Sequence, residues 1–472
     1  MSGVQAVVTT GIYCRPGCGG RPLPGHVRRF DLAAAAEAAG YRACLRCRPY
    51  RATPPPQIAG PEVVCRAVRL ILEGALDRST EDQLGSRLGV SARHLRRLFQ
   101  LHLGVSPDRL ARSRRAHFAR RLLDDTDLTI THVAMASGFG SARQMNRVLA
   151  SVFRAPPREL RARRRAHDRL AADGGLALRL PFRPPLDWDG MLAFLATRAI
   201  GGVETVSEAT YRRTVTVEGL PALLEWTRGG PDHLRLTAHL GAWGGLIHVA
   251  QRARRVFNLD FDLEGARAHL AGDPILGPLL AARPGTRPPG IWEPFEAGVR
   301  AIVGQQVSVA GARTIVTRLV ARLGTPVPGL GRLGLTHLFP EPPALLAGDL
   351  SGLGLTRARA AALRAFADAV TAGAVALEGT ASLDQLVGSL TQVPGLGPWT
   401  AQYIALRLGE PDAFPATDLG VRRALAGQLG RPVSHATVRE ISAAWQPWRG
   451  LAAVHLWLSG AAPVRPGTVG AS

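Results

Sequence analysis

One acid and four thiols stand out in this chain of 472 residues as side chains with chemistry to do. Asp418 lies 21 residues beyond the last glycine of Val393-Pro394-Gly395-Leu396-Gly397-Pro398-Trp399-Thr400-Ala401, within Phe414-Pro415-Ala416-Thr417-Asp418. Two glycines two apart, after a proline that presets φ, make a tight turn between helices, and their bare N–H groups can approach a phosphate closely. Such a turn anchors a nucleic-acid strand without reading its sequence. A carboxylate delivered just beyond it can stabilise positive charge that develops in a transition state. Asp418 can equally cap the helix opening at Leu419-Gly420-Val421, and the two roles are compatible because a cap fixes the carboxylate's aim. Cys14-x3-Cys18 and Cys44-x2-Cys47, separated by 25 residues, supply two short-spaced thiolate pairs, a donor set suited to tetrahedral zinc.

Several elements must position these groups, and the chain is long enough for three or four domains with separate cores. Its formal charge of +22 is uneven: residues 1–170 hold 30 arginines against 13 acids, the remainder 28 against 23, so the amino-terminal third is the stronger polyanion binder. All 58 basic residues are arginine. No apolar run reaches the roughly 20 residues of a membrane span, and no signal peptide precedes Gly11. A cytoplasmic protein is expected, in which cysteines serve metal binding and not disulfides.

Thr53-Pro54-Pro55-Pro56-Gln57 is a stiff breaker that ends the cysteine unit. Residues 61–165 are helical in period, with arginines expected on exposed faces and leucines and valines within. After a break at 171–175, alternating runs such as Tyr211-Arg212-Arg213-Thr214-Val215-Thr216-Val217 and Leu234-Arg235-Leu236-Thr237-Ala238 read as strands. The stretch 283–290, rich in Pro and Gly, separates this mixed unit from a final, mostly helical one that runs to about residue 462.

Around the thiols, Thr9-Thr10-Gly11-Ile12-Tyr13-Cys14-Arg15-Pro16-Gly17-Cys18 and Gly40-Tyr41-Arg42-Ala43-Cys44-Leu45-Arg46-Cys47 resemble the metal-binding domain of Ada-type methyltransferase regulators. The resemblance implies one zinc ion held by Cys14, Cys18, Cys44 and Cys47, with Cys14 also accepting a methyl group from a methylated DNA phosphotriester. Zinc would keep that thiol deprotonated and nucleophilic, and methylating it would remove a negative charge from a DNA-facing surface. The family carries a strand-forming segment ahead of the Thr-Thr-Gly run, and only eight residues precede it here, so the domain is expected to be amino-terminally short. Cys65, outside the pattern, is expected to be a buried core thiol.

Thr80 to Leu88, Gly89-Val90-Ser91 and Ala92 to Phe99 have the form helix, turn, helix, and a second copy runs through Ile130 to Ala136, Ser137-Gly138-Phe139-Gly140 and Ser141 to Phe153. Two such copies, closed by Phe153-Arg154-Ala155-Pro156-Pro157-Arg158-Glu159-Leu160, resemble the DNA-binding domain of AraC-type regulators. Arg93, Arg96 and Arg97 of the first copy and Arg143, Gln144, Asn146 and Arg147 of the second are the candidates to meet bases and phosphates in successive major grooves.

The hairpin and Asp418 resemble the helix-hairpin-helix DNA glycosylases. Pro181-Phe182-Arg183-Pro184-Pro185-Leu186-Asp187-Trp188, the Met191 to Ile200 run, Gly202-Val203-Glu204-Thr205-Val206 and the Phe295 to Ala310 segment narrow this to the AlkA-type 3-methyladenine glycosylases. The resemblance makes Asp418 the catalytic carboxylate, Gly395 and Gly397 the DNA anchor, Gln306 the wedge that fills the place of the departed base, and Trp399, Tyr403 and Trp457 its aromatic pocket. Alkylation gives a purine positive charge, and each electron-rich ring face attracts such a cation by about 0.5–2 kcal/mol. Family members that also cut the strand use a lysine two positions after the second hairpin glycine. Trp399 stands there, and a chain without lysine has no side-chain amine for that step, so a monofunctional, hydrolytic enzyme is implied.

The resulting expectation is a multidomain protein, mainly α with α+β parts: a small zinc domain (1–51), a double helix-turn-helix domain (58–166), an α/β glycosylase N-terminal domain (176–288), an all-α helix-hairpin-helix glycosylase domain (289–463) and a tail (464–472). Its expected function is excision of alkylated purines joined to methylation-sensing transcription control, with zinc in the first domain and no cofactor in the glycosylase. Expected partners are damaged and promoter double-stranded DNA and RNA polymerase, with no membrane and a monomeric state. The competing reading is a transcription factor whose glycosylase half binds DNA without acting on it.

Overall fold

The computed structural model describes residues 3–20, 22–52, 60–77, 79–165, 168–172 and 174–460; the breaker at 53–57 and the tail at 464–472 fall outside them. Alternating apolar residues in β1 (Val4–Val7) bury Val4 and Ala6, which draws this strand to the middle of a four-stranded sheet. It pairs antiparallel with β2 (Ile12–Cys14) and β3 (Val27–Phe30), while β2 runs parallel to the short β4 (Arg42–Ala43). A strand therefore does precede Thr9, and the cysteine-bearing strand β2 is registered against it, Cys14 opposite Gln5.

Each helix-turn-helix copy starts from a hydroxyl cap. Thr80 and Gln83 form a reciprocal capping box on Glu81–Arg87, and Ser91 and Ser141 cap Ala92–Leu103 and Ala142–Phe153. Gly89 and Gly138 turn the chain at φ +72 and +76, where a Cβ would be strained. Between the copies, Pro107–Asp125 is enclosed from Ser113 onward, so the expectation that arginines here stay exposed fails for Arg115 and Arg120. Acids account for the exception: Arg120 pairs with Asp124 at 2.7 Å and Arg115 with Asp77 at 3.0 Å, which offsets much of the cost of burying the cations. Cys65 is also only half-buried on Glu62–Glu73.

Domain boundaries are not core boundaries. Tyr50 of the cysteine unit packs edge-on against Phe153 at 5.5 Å, and its hydroxyl donates to Asp124. Arg51 bonds Asp125 at 2.8 Å, and the same oxygen accepts from Arg179 of β5 (Leu176–Pro181) at 2.8 Å. One buried acid thus ties together the cysteine unit, the regulator helix and the next domain's sheet.

That sheet is antiparallel throughout, in the order β5-β9-β8-β7-β6, with β6 (Glu204–Val206), β7 (Thr210–Val217), β8 (Leu220–Arg228) and β9 (His233–His239). Its inner face sets Tyr211 opposite Trp226, both fully buried and in ring contact at 5.2 Å. From Gly285 onward the Pro/Gly stretch at 283–290 is buried and is no exposed spacer. Arg287 is fully buried and donates to the carbonyls of Leu259 and Arg183, fixing this strap against the sheet domain. Beyond it lies a second large core, built from helices that include Pro294–Val303, Val309–Leu323, Arg357–Thr371, Leu383–Thr391, Pro398–Arg407, Leu419–Leu429 and Arg449–Gly460. The expected multidomain, mainly helical class with two mixed parts is what the structure has. Among the described residues, no helix is long and apolar enough to cross a membrane.

Candidate active site and nucleic-acid-binding surfaces

Leu383–Thr391 and Pro398–Arg407 are joined by the predicted turn. Gly395 has φ +88, and a Cβ there would stand 2.6 Å from the Ala362 Cβ, so both backbone and space require glycine. Gly397 differs: its φ is −94 and nothing lies within 4 Å of where a Cβ would stand, so space does not demand glycine there. Its exposed backbone at the start of the helix, followed by Pro398, leaves N–H groups open to a phosphate.

Asp418 is indeed the N-cap of Leu419–Leu429, its Oδ1 accepting from the Val421 N–H at 2.9 Å. Two indoles hold the same carboxylate. Trp457 Nε1 donates to Oδ1 at 2.9 Å and Trp399 Nε1 donates to Oδ2 at 2.8 Å. Tyr403 completes the group, stacked on Trp399 at 5.5 Å and 15° and tilted against Trp457 at 6.0 Å. These four residues line one cavity of about 400 Å³. The sequence pointed to the ring faces; that the ring nitrogens aim the acid depends on three helices converging.

Arginine at the cavity wall is the feature that sequence reading missed. Arg407, one turn after Tyr403, donates to the Pro289 and Gly290 carbonyls of the strap and lies 3.3 Å from the Tyr403 hydroxyl. Arg198 lies over the Phe194 ring at 3.8 Å. Burial pushes the Tyr403 phenol up, but Arg407 and Arg198 outweigh it and hold the phenol below its ordinary value. Burial, then Arg407, lowers Arg198 in turn. The i, i+4 spacings of Phe194 with Arg198 and of Tyr403 with Arg407 were the available signals.

Gln306 sits exposed at the turn between Pro294–Val303 and Val309–Leu323 with φ +52, a left-handed conformation that costs a non-glycine residue about 1–2 kcal/mol. Its neighbour Gln305 stabilises this shape. The Gln305 amide donates to the Gly395 carbonyl at 3.0 Å and the Thr400 hydroxyl at 2.9 Å, locking the Gln306 turn to the hairpin.

On the helix-turn-helix unit, Arg93, Arg96, Arg97, Arg143, Gln144 and Arg147 are all exposed. Arg96 is paired with Glu81, Arg97 lies 3.1 Å from the His94 ring nitrogen, and Gln144 Oε1 accepts from the Gly140 N–H at 2.9 Å. Among the described residues, Arg93, Arg143 and Arg147 have no acidic partner.

The Sγ atoms of Cys14, Cys18, Cys44 and Cys47 lie within 4.8 Å of one another. Tetrahedral zinc–thiolate bonds of about 2.3 Å need sulfurs at such separations, so the donor set fits. Burial and then the neighbouring Cys44 push the Cys14 thiol up. Cys44 is buried, whereas the other three are half-exposed.

Four family models match in chain order: metal binding domain of Ada at 3–50, helix-turn-helix domain at 84–163, AlkA N-terminal domain at 177–293, and HhH-GPD superfamily base excision DNA repair protein at 299–448. A probable bifunctional transcriptional activator/DNA repair enzyme AlkA from Mycobacterium tuberculosis is 40% identical over 98% of this chain and 93% of its own. DNA-3-methyladenine glycosylase 2 of Escherichia coli is 36% identical over 59% of this chain and 95% of its own. Among solved structures, a 3-methyladenine DNA glycosylase from Archaeoglobus fulgidus shares the fold at TM-score 0.54 and 23% identity, covering 60% of this chain and 98% of that one.

Proposed function

Because the chain belongs to the family of AlkA-type bifunctional transcriptional activator/DNA repair enzymes, we propose that the Asp418 carboxylate drives hydrolytic release of alkylated purines from DNA in the cavity described above. The chain is a DNA glycosylase of the 3-methyladenine type, a hydrolase of N-glycosyl bonds, fused to a transcription-regulator unit. Double-stranded DNA is its partner. The residue roles are our own reading, and one observation carries them: three donors converge on Asp418 within a cavity walled by aromatic rings.

A lesion nucleotide swung out of the duplex enters between Trp399, Tyr403 and Trp457, while Gln306 occupies the space it leaves. As the glycosidic bond lengthens, its electrons leave with the base and positive charge grows on the sugar. Asp418 stabilises that charge; at about 3.5 Å and an effective dielectric near 20 the attraction is about 5 kcal/mol. Water then adds to the sugar carbon and loses its proton. The absence of lysine leaves no side-chain amine to divert the intermediate into strand cleavage. Gly395 and Gly397 hold the backbone, and the exposed arginines of Ala92–Leu103 and Ala142–Phe153 bind a second stretch of duplex.

In the amino-terminal domain, the four thiols would hold zinc, which would keep them deprotonated. Cys14, half-exposed, is the methyl acceptor: its sulfur attacks the methyl carbon of a phosphotriester, the C–O bond breaks and the phosphodiester leaves with the electron pair. Both reactions place the protein on alkylated DNA in the cytoplasm.

The test is release of free 3-methyladenine or 7-methylguanine from alkylated duplex by the wild type and Asp418→Asn. Asparagine caps helices as well as aspartate, so the variant should fold while base release drops by about three orders of magnitude, the loss of the charge term just given. Release within tenfold of wild type would assign Asp418 to capping alone.

A further inference from the structure

Where the cysteine domain, the regulator helix Pro107–Asp125 and the sheet domain meet, the structure forms a partly open cavity of about 180 Å³ that neither reaction uses. Leu32, Leu110, Phe118, Leu180 and Ile247 give it an apolar lining drawn from all three units. Arg121 and Arg183 also line it, and among the described residues neither is paired with an acid. The other arginines at the wall have acidic partners: Arg114 pairs with Asp77 at 3.0 Å, Arg179 with Asp125 at 2.8 Å, and Arg254 with Asp260. Arg121 instead has its Nε buried without a hydrogen-bond partner and its guanidinium over the Phe118 ring at 5.2 Å. Burial, and then repulsion from Arg254, push Arg121 down to about 10 against the pull of Asp125, which lines the same cavity. An unpaired guanidinium in such surroundings is destabilising unless an anion joins it.

We propose that this cavity binds a small amphiphilic organic anion, a carboxylate or phosphate monoester on an apolar body, with Arg121 as its principal charge partner and Arg183 as the second. Nucleic acid is the wrong shape for it: the space is smaller than the roughly 300–1,000 Å³ of drug-sized ligand sites and lies between domains. Because the ligand would touch all three units, its binding stabilises their packed arrangement.

The experiment uses the full-length, zinc-loaded protein with phenyl phosphate and benzoate as probes, and benzyl alcohol and inorganic phosphate as controls, read by calorimetry and thermal denaturation. At least one aromatic anion should bind saturably and raise Tm, and benzyl alcohol and inorganic phosphate should bind at least tenfold more weakly, by loss of the charge-assisted bond or of the apolar burial. Binding of phenyl phosphate alone identifies a phosphate monoester site; benzoate alone, a carboxylate site. Arg121→Met should weaken binding by about 10- to 100-fold, the loss of a charged hydrogen bond, yet denature at or above the wild-type temperature without ligand, because it removes a half-buried cation that has no acidic partner. Arg183→Gln should weaken binding less. The proposal fails if neither aromatic anion binds below about 10 mM, a free energy of only about 3 kcal/mol. It also fails if inorganic phosphate binds as tightly as phenyl phosphate, if Arg121→Met binds like wild type, or if that variant loses stability and Arg183→Gln binds unchanged.

Discussion

Trp399 does two things that one substitution can separate. Its ring stacks on Tyr403 at 5.5 Å, and its Nε1–H bonds Asp418 Oδ2 at 2.8 Å. Trp399→Phe keeps most of the ring face and deletes the donor. The two oxygens of Asp418 are held unequally: Oδ1 has the Val421 N–H and Trp457 Nε1, whereas among the described residues Trp399 is the only donor to Oδ2. Losing the Trp399 bond therefore frees the carboxylate to rotate about its Oδ1 anchor. A hydrogen bond to a charged group contributes about 1.5–3 kcal/mol, so the aligned orientation should become rarer and catalysis should slow by about 10- to 100-fold. Affinity for lesion DNA should change by less than about threefold, since the ring remains to face a cationic base. Trp457→Phe leaves Val421 on Oδ1 and Trp399 on Oδ2 and should slow the reaction by less than about tenfold. Single-turnover release of 7-methylguanine, with duplex affinity measured in parallel, gives both quantities. A Trp399→Phe enzyme with wild-type rate, or one whose whole defect lies in binding, would refute the clamp.

His455 should impose a pH dependence on stability. It is buried, and burial followed by the Arg283 charge lowers it to about 4; since its folded value lies below the unfolded one, the unfolded chain takes up the proton first and stability falls as pH drops through the window from about 6.5 to 4, by about 2 kcal/mol at pH 5. His455→Asn should flatten that part of the Tm profile, and an unchanged profile would rule His455 out. At the hairpin, Gly395→Ala forces a Cβ against Ala362 at φ +88 and should lower Tm, with a cost of at least about 1–2 kcal/mol from the backbone alone. Gly397→Ala should leave Tm unchanged and weaken duplex binding several-fold in a titration; equal stability losses in the two variants would contradict the distinction. Removing the metal by chelation should raise hydrogen exchange in Val4–Val7 and Ile12–Cys14, because the four thiols link the end of the interior strand Ile12–Cys14 to the Cys44–Cys47 turn, while base release remains within about twofold. Loss of base release in step with the metal would show that the first domain supports the glycosylase cavity.

The sequence by itself determined the kinds of unit present and their local turns and caps, because these depend on local spacing. A Gly-x-Gly turn needs glycine where φ is positive, as at Gly395. Serine and threonine caps begin helices wherever the backbone leaves N–H groups unpaired, as at Thr80, Ser91 and Ser141. Two short cysteine pairs announce a metal before any fold is known. Tertiary structure alone decided how separate segments share charge. Trp399, Asp418 and Trp457 are neighbours only because three helices converge, and no local pattern reveals that two indole N–H groups point at one carboxylate. Arg115 looked like a surface residue because helical period reports where a side chain points, not whether an acid from another segment waits there; Asp77 makes its burial tolerable. The strap at 283–290 looked like a spacer because proline and glycine break elements in any context, and the arginines that bury it, Arg287 from within and Arg407 from more than a hundred residues away, act through space. Long-range electrostatic pairing inside a low-dielectric core is the part of this protein that one-dimensional spacing does not encode.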